Sequence, residues 1–461
     1  MDSMIDLGIN NSKGCEKGSI IYVTLVVFVA ALGGLLFGYD TAVVSGAIGF
    51  MKIKFNMSTL MMGWAASSAL IGCIIGVMAA GILSDKFGRK KVLVLSAICF
   101  FVSAVWSGIP YGLFDFVIAR ILGGLGVGAA SMLSPMYIAE ISPAKIRGRL
   151  VSLNQFAIIS GMLVVYFVNA IIAGFGDVNW NVNFGWRWMF GSEAILAAVF
   201  FGLLFLVPES PRWLIENCRE QEALTILKKI GGTQHAETEL GEIRMAIAQE
   251  SASIWTLFKP GIRITLIIGV GLAIFQQITG INVVLYYAPE IFKSAGIGSA
   301  SAISHTVIVG AVNLLFTIVA IAVVDRFGRK PLLVLGSAGM GLSLFALGLA
   351  FVNHAFTGPY VLICVLAYVA SFAVAMGPVV WVVIAEIFPT KIRGRAMSIA
   401  TVCLWVSCFL VSQFFPYMLD AMKGKVFWVY AVICVISLIF VLAFVPETKG
   451  KTLEQIEKMW E

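Results

Sequence analysis

From Ile20 to Val445 the chain is a succession of apolar runs, each ended by a short polar segment. A helix needs about 20 apolar residues to cross a hydrocarbon core of about 30 Å. Measured with that ruler the runs are 20–50, 61–83, 92–109, 112–138, 150–174, 187–207, 262–292, 302–324, 332–352, 359–385, 396–418 and 425–445, twelve in all. Only 12% of the residues are charged and 60% are hydrophobic, whereas a soluble domain carries about 25% charge. The solvent for most of the chain is therefore lipid, and the predicted class is an all-α membrane protein. The first run exceeds the roughly 7–15-residue apolar core of a signal peptide, so it reads as the first span.

An even number of spans puts both termini on one side. With that side as the cytoplasm, the inside segments hold 25 of the 32 Lys and Arg, the outside loops hold six, and Arg120 lies within a span. This asymmetry predicts cytoplasmic termini and accounts for the net charge of +7, while the short loops and tails favour the cytoplasmic (inner) membrane of a bacterium. No basic helix interleaved with aromatics is present, so nucleic acid is not indicated. The long polar segment 208–261 separates six spans from six, with short helices expected in "NCREQEALTILKKIGG" and "AETELGEIRMAIAQE" and Gly232 as terminator. The expected division is an N-terminal six-helix bundle (1–207), a cytoplasmic linker (208–261), a C-terminal six-helix bundle (262–446) and a cytoplasmic tail (447–461).

The punctuation is written twice. "IAEISPAKIRGR" (Ile138–Arg149) returns as "IAEIFPTKIRGR" (Ile384–Arg395), ten of twelve residues identical at a separation of 246. "DKFGRK" after the second span returns as "DRFGRK" after the eighth, and "PESPR" after the sixth as "PETKG" after the twelfth. Two copies of a six-helix unit related by an axis along the membrane normal are a known construction for secondary transporters.

These motifs, with "LLFGYD" (35–40), "PESPRWL", "FQQITGIN" (275–282) and "GPVVW" (377–381), resemble the sugar porter family of the major facilitator superfamily, nearest to its bacterial proton-coupled pentose and hexose symporters. The resemblance spans essentially the whole chain. It implies the major facilitator fold, and proton-coupled uptake of a monosaccharide by alternating access, with D-xylose as first candidate and glucose, galactose and arabinose after it. The alternatives are a sugar uniporter or facilitator and a myo-inositol symporter. The partners implied are sugar, proton and bilayer, with the protein functional as a monomer, and no cofactor beyond the proton gradient. No catalytic constellation or metal site is visible, since only three scattered histidines exist; the chain reads as no enzyme.

Asp40 and Arg120 interrupt apolar runs, and intramembrane ionisable residues are costly enough that they usually pair and have a task. Desolvation favours a protonated Asp and a neighbouring Arg favours an ionised one, which suits a proton switch. By the resemblance, Asp at position 40 marks symport, where facilitators commonly carry Asn. Gln276, Gln277 and Asn282 place three amides within seven residues of the seventh span, with Gly280 between them; amides both donate and accept, as sugar hydroxyls require. Gln155, Asn313 and Trp381 match the family's remaining sugar contacts, and Phe37, Tyr286 and Gly377 match cavity positions. Leu404 and Met162 depart from it, each removing a possible hydrogen bond to the ligand.

At the cytoplasmic ends, Asp85, Arg89, Glu140, Arg147, Arg149, Glu209 and Arg212, with Asp325, Arg329, Glu386, Arg393, Arg395 and Glu447, would form charge networks that in the family hold the inner side shut. "GGLGVGAAS" (123–131) lies mid-span and reads as small-residue packing, not as a phosphate loop. "GKT" (450–452) lacks the earlier glycine of a nucleotide loop. The eight cysteines read as small buried apolar residues. Trp64, Trp106, Trp186 and Trp428 read as interfacial anchors.

Overall fold

The computed structural model describes residues 18–143, 146–249, 262–353, 359–388 and 393–449, in which every element is a helix. Backbone polar groups in lipid have no water to bond, so a spanning segment must satisfy them internally. Twelve helices are long and apolar enough to cross: Ile20–Lys54, Thr59–Phe87, Arg89–Gly108, Leu113–Ile141, Arg147–Ala173, Val178–Leu204, Ile262–Ser294, Ser299–Val324, Arg329–Val352, Tyr360–Ile387, Gly394–Met422 and Lys425–Phe444. They coincide with the twelve apolar runs and extend them at their polar ends.

The largest extension is in the sixth span, which starts nine residues before the expected 187. Asp177 caps it, its carboxylate accepting from the Trp180 N–H at 2.8 Å. Asn181 then donates to the carbonyls of Ala173, Gly176 and Asp177, and one π turn, Asn181–Gly185, follows. This early start overturns the interfacial reading of Trp186, which is completely buried. It packs edge-on to Phe55 and Phe116 and carries the Arg187 guanidinium on its face. Cys218 also departs from its reading as a buried residue, being exposed where the other described cysteines are buried or half-buried.

Four spans are interrupted where side chains later matter, the sixth at Ser192. The first breaks at Val43, whose carbonyl accepts from the Asn169 amide of the fifth span at 3.1 Å. The seventh breaks at Gly280, left-handed at φ 101°, and the Tyr368 hydroxyl donates to the stranded Thr279 carbonyl at 3.0 Å. The tenth breaks at Ala375, next to Val374, whose carbonyl would bond the N–H that Pro378, four residues further on, does not have.

Close packing rests on small residues. A Cβ on Gly72 would meet the Ile121 carbonyl and one on Gly124 the Ala69 carbonyl; Gly76 and Gly128 repeat the pattern a turn away. The second and fourth spans therefore touch backbone to backbone, as do the first and fifth through Gly38 and Gly161. The glycine run 123–131 is thus helix packing, as its sequence indicates.

Helices Pro211–Glu216, Glu220–Gly231 and Thr233–Gln249 lie between the sixth and seventh spans; the first of these was not foreseen. The Ser19 N–H donates to the Lys229 carbonyl at 2.9 Å, so the entry to the first span is on the same face as these helices. We call this the linker face.

Gly124→Leu forces a side chain into the Ala69 carbonyl, and overpacking of this kind costs about 1–3 kcal/mol or more. It is expected to lower the melting temperature of purified protein by several degrees, whereas Gly202→Ala, with open space around it, leaves it unchanged. Equal melting of both variants would contradict the packing.

Candidate functional site

The centre of the first six spans holds a buried charge cluster. Asp40 and Arg120 are 0% and 2% exposed. Arg120 Nη1 donates to Asp40 Oδ1 at 2.5 Å, and Nη2 donates to Oδ2 at 3.2 Å and to the Asp40 carbonyl at 2.9 Å. The pair is a two-pronged, charge-assisted contact, the geometry in which a buried ion pair offsets its desolvation. Arg120 also lies on the face of Phe190, 5.2 Å from the ring centre.

A third member was missed in the sequence. Glu193 of the sixth span is 1% exposed, and its carboxylate adjoins Asp40 and Arg120. The preceding Ser192 hydroxyl bonds the Tyr39 hydroxyl at 2.7 Å. The available signal was the one that singled out Asp40: an acid in the apolar run "GSEAILAAVF". A second buried carboxylate thus lies beside the pair, its two oxygens without a donor among the described residues.

The second constellation lies in the last six spans. Gln276 Nε2 donates to the carbonyls of Met376 and Gly377 at 2.7 and 3.0 Å, just past the break in the tenth span. Gln277 Nε2 donates to Gln276 Oε1 at 3.2 Å. Asn282 Nδ2 donates to Gln277 Oε1 at 2.5 Å and to Cys408 Sγ at 3.1 Å. The left-handed Gly280 turn makes this possible, because it folds Asn282 back toward Gln277. The structure thus joins Gln276, Gln277, Asn282 and Gly377, with Tyr286 beside Cys408.

The other expected residues occupy their own spans. Phe37 is half-buried against Trp405, ring centres 5.5 Å apart. Gln155 and Trp381 are half-buried on the fifth and tenth spans. Asn313 on the eighth span is 3% exposed, with no hydrogen-bond partner for its Oδ1 among the described residues; the Nε1 of buried Trp405 is in the same condition. Met162 and Leu404 are buried at 8% and 4% exposure. Cys408 and Trp405 were not assigned a role from sequence, since neither type stands out in an apolar run.

At the linker face the repeated motifs build two similar clusters. In the first, Arg89 meets Glu140 at 3.2 Å and Asp85 at 3.4 Å, while the Ser210 hydroxyl donates to Glu140. In the second, Arg329 meets Glu386 at 2.9 Å and the Thr448 hydroxyl donates to Glu386 at 2.6 Å. Glu209 and Glu447 do something different from the ion pairing expected. Glu209 accepts from the Lys90 N–H at 3.1 Å, and Glu447 from those of Arg329 and Lys330 at 3.0 and 3.1 Å. Glu209 thus closes the N-terminus of the third span and Glu447 that of the ninth, where free N–H groups and the helix dipole favour an anion. Gly88 and Gly328, at φ 99° and 91°, set that turn, and each carboxylate lies where a Cβ would stand.

Arg147 pairs with Glu239 of the linker at 3.1 Å and Arg212 with Glu216 at 3.3 Å, and the Arg212 charge also acts on Glu140. Arg149 and Arg395 are exposed. The side chains of Asp325 and Arg393 lie outside the described residues. The pairs Arg89–Glu140 and Arg329–Glu386 each join two helices of one six-span half.

Partial burial would raise the Glu447 pKa, but the backbone N–H groups of Lys449, Arg329, Lys330 and Thr448 outweigh it and hold the carboxyl below its usual value.

The chain matches the family described as Sugar (and other) transporter over residues 26–460. It is 46% identical over 473 aligned residues to the D-xylose-proton symporter of Escherichia coli (strain K12), covering 95% of this chain and 96% of that one. It is 43% identical over 444 residues to the arabinose-proton symporter of Bacillus subtilis (strain 168), covering 96% of each. A solved structure, the partially occluded inward open conformation of the xylose transporter XylE from E. coli, superposes with a TM-score of 0.86 at 45% identity, covering 94% of this chain and all (100%) of the other.

A carboxyl depressed in the folded state stabilises above its unfolded pKa of about 4.3, and that contribution is lost as pH falls through the folded value. Glu447→Gln is therefore expected to melt lower than the parent at neutral pH, with the gap closing below about pH 4. A gap that is constant across that range would contradict the assigned role of the N–H groups.

Proposed function

Because the chain belongs to the sugar (and other) transporter family, we propose that it carries a monosaccharide together with a proton into the cell, by alternating access between two six-span halves. The linker face is then cytoplasmic, consistent with the 25 of 32 Lys and Arg on that side, in a bacterial inner membrane. The functional unit is the monomer, and the division falls at 1–207, 208–261, 262–446 and 447–461. D-xylose is the first candidate sugar, then glucose, galactose and arabinose.

The observation that carries the reading is the fully buried Asp40–Arg120 pair with Glu193 beside it. A fixed structural ion pair needs no second acid. A proton carrier gains from one, because protonating Asp40 removes its hold on Arg120 while Glu193 keeps the guanidinium from being left alone in a low-dielectric site. Release of Arg120 frees the fourth span relative to the first, which couples protonation to the change of access.

Sugar is bound by Gln276, Gln277 and Asn282, with Gln155, Asn313 and Trp381 completing the polar contacts and Phe37, Tyr286 and Gly377 the wall. This is supported by an amide chain whose bonds are internal without ligand and can be exchanged for hydroxyls. Buried Asn313 Oδ1 and Trp405 Nε1 offer one acceptor and one donor to a ligand. Leu404 and Met162 make one side less polar, which favours a sugar with fewer groups to satisfy there. Asp85, Arg89, Glu140, Arg147, Glu209, Arg212, Asp325, Arg329, Glu386, Arg393 and Glu447 form the cytoplasmic gate, each cluster poised to meet its counterpart when the inner side closes.

In proteoliposomes, Asp40→Asn is expected to abolish uphill accumulation of D-xylose while sparing sugar exchange at equal concentrations. Full accumulation in that variant would remove Asp40 from coupling. Gln277→Ala and Trp381→Ala are expected to weaken sugar binding about tenfold or more, the loss of one or two hydrogen bonds to a buried ligand, with unchanged melting. Unaltered affinity in both would misplace the site.

A further inference from the structure

The face opposite the linker holds a polar contact that the charge clusters and the sugar site leave unused. Gln413 lies on the eleventh span, nine residues before its end at Met422. Its Oε1 accepts from the Ser67 hydroxyl of the second span at 2.9 Å, and its Nε2 donates to the Leu60 carbonyl at 3.1 Å. Ser67 is fully buried. Between its two partners sits Gly63, and a Cβ there would overlap the Gln413 carbonyl itself. Leu60, Gly63 and Ser67 recur at helical spacing on one stripe of the second span, so a single amide spans that stripe over a backbone contact only glycine permits.

The clasp ends a longer seam. Trp405, Phe409 and Gln413 follow at intervals of four along the eleventh span, hence on one side of it. Trp405 meets Phe37 of the first span and Phe409 meets Trp64 of the second edge-on at 6.3 Å. The seam thus runs from aromatic contacts in its deeper part to a hydrogen-bonded clasp near the face opposite the linker. Nearby, the Tyr166 hydroxyl donates to the Leu285 carbonyl at 2.9 Å, again joining the first six spans to the last six.

We propose that the Gln413–Ser67–Leu60 clasp is the latch that holds the outer side closed, and that its strength sets the balance between the inward-facing and outward-facing states. The inference rests on the alternating-access reading above. When the outer side opens, the second and eleventh spans separate there and the amide exchanges both protein partners for water. The clasp therefore exists in one state only, and a contact made in one state shifts the equilibrium by its full differential worth. The bonds are neutral and near the water boundary, strong enough to bias the balance and weak enough to break in each cycle. Gly63 has the complementary task, since the approach of the two backbones depends on its lack of a side chain.

The test is hydrogen–deuterium exchange on the full-length protein, comparing the parent with Gln413→Leu and Ser67→Ala, with and without D-xylose. Both variants are expected to exchange faster at 59–66 and slower at the inner ends of the spans, a shift of about tenfold toward the outward-facing state for Gln413→Leu, which loses two hydrogen bonds, and a smaller one for Ser67→Ala, which loses one. The double variant is expected to shift no further than Gln413→Leu alone, because both changes remove the same clasp. Unchanged exchange at both faces in variants that still bind D-xylose would overturn the latch. A rise at both faces together would also overturn it, since that is loosening and no shift between states. If instead the parent itself shows no exchange response to any sugar, the transport reading fails, an outcome distinct from failure of the latch.

Discussion

A guanidinium and a carboxylate removed from water must hold each other or stay unfolded, and the first six spans are arranged around that necessity. Breaking such a pair by removing one member leaves the other charged and buried, at a cost of several kcal/mol. Asp40 sits three residues before the Val43 break in the first span, and Arg120 reaches it from the fourth, so the pair bridges two helices that pack against different neighbours. Glu193 brings in the sixth. Three helices thus meet at one set of charges, and any change in its protonation is felt by all three.

The surrounding architecture lets that local event matter. Glycines bring the second span onto the fourth and the first onto the fifth at backbone distance. The seventh and tenth spans, by contrast, are interrupted at Gly280 and Ala375, and the amides Gln276, Gln277 and Asn282 bind the two interruptions to each other. One half concentrates buried charge and the other concentrates amides. That division separates the groups that can carry a proton from those that can hold a neutral polyol.

Much of this was legible in the sequence, for identifiable reasons. Twelve apolar runs are visible because lipid demands length and hydrophobicity together. Asp40, Arg120 and the three amides are visible because they break that pattern, and Gly280 because it stands between the amides it reorients. Glu193 carries the same signal, but it lies close to the misplaced start of the sixth span, where an acid reads as a boundary residue. Trp186 was misread for the same reason: Asp177 and Asn181 build a helical start that no apolar pattern announces. At the linker face the charges were legible, and Arg89 and Arg329 meet acids of the named set, but other partners were not legible. Arg147 reaches Glu239, 92 positions away, and Glu209 turns to backbone N–H groups, choices made by three-dimensional proximity alone. Gln413 looks in sequence like any amide near a span end, and only the fold brings it to Ser67, 346 residues distant.

The central claim is that sugar and proton move together, and proton movement driven by sugar tests it most directly. Purified protein is reconstituted in vesicles with no initial pH difference, a lumenal pH dye is enclosed, and D-xylose, glucose, galactose and arabinose are added outside in turn. The account predicts lumenal acidification with at least one of these sugars, in step with its entry, and none in the Asp40→Asn protein. Sugar entry without any proton signal would contradict it and make the chain a facilitator in which the buried pair is structural.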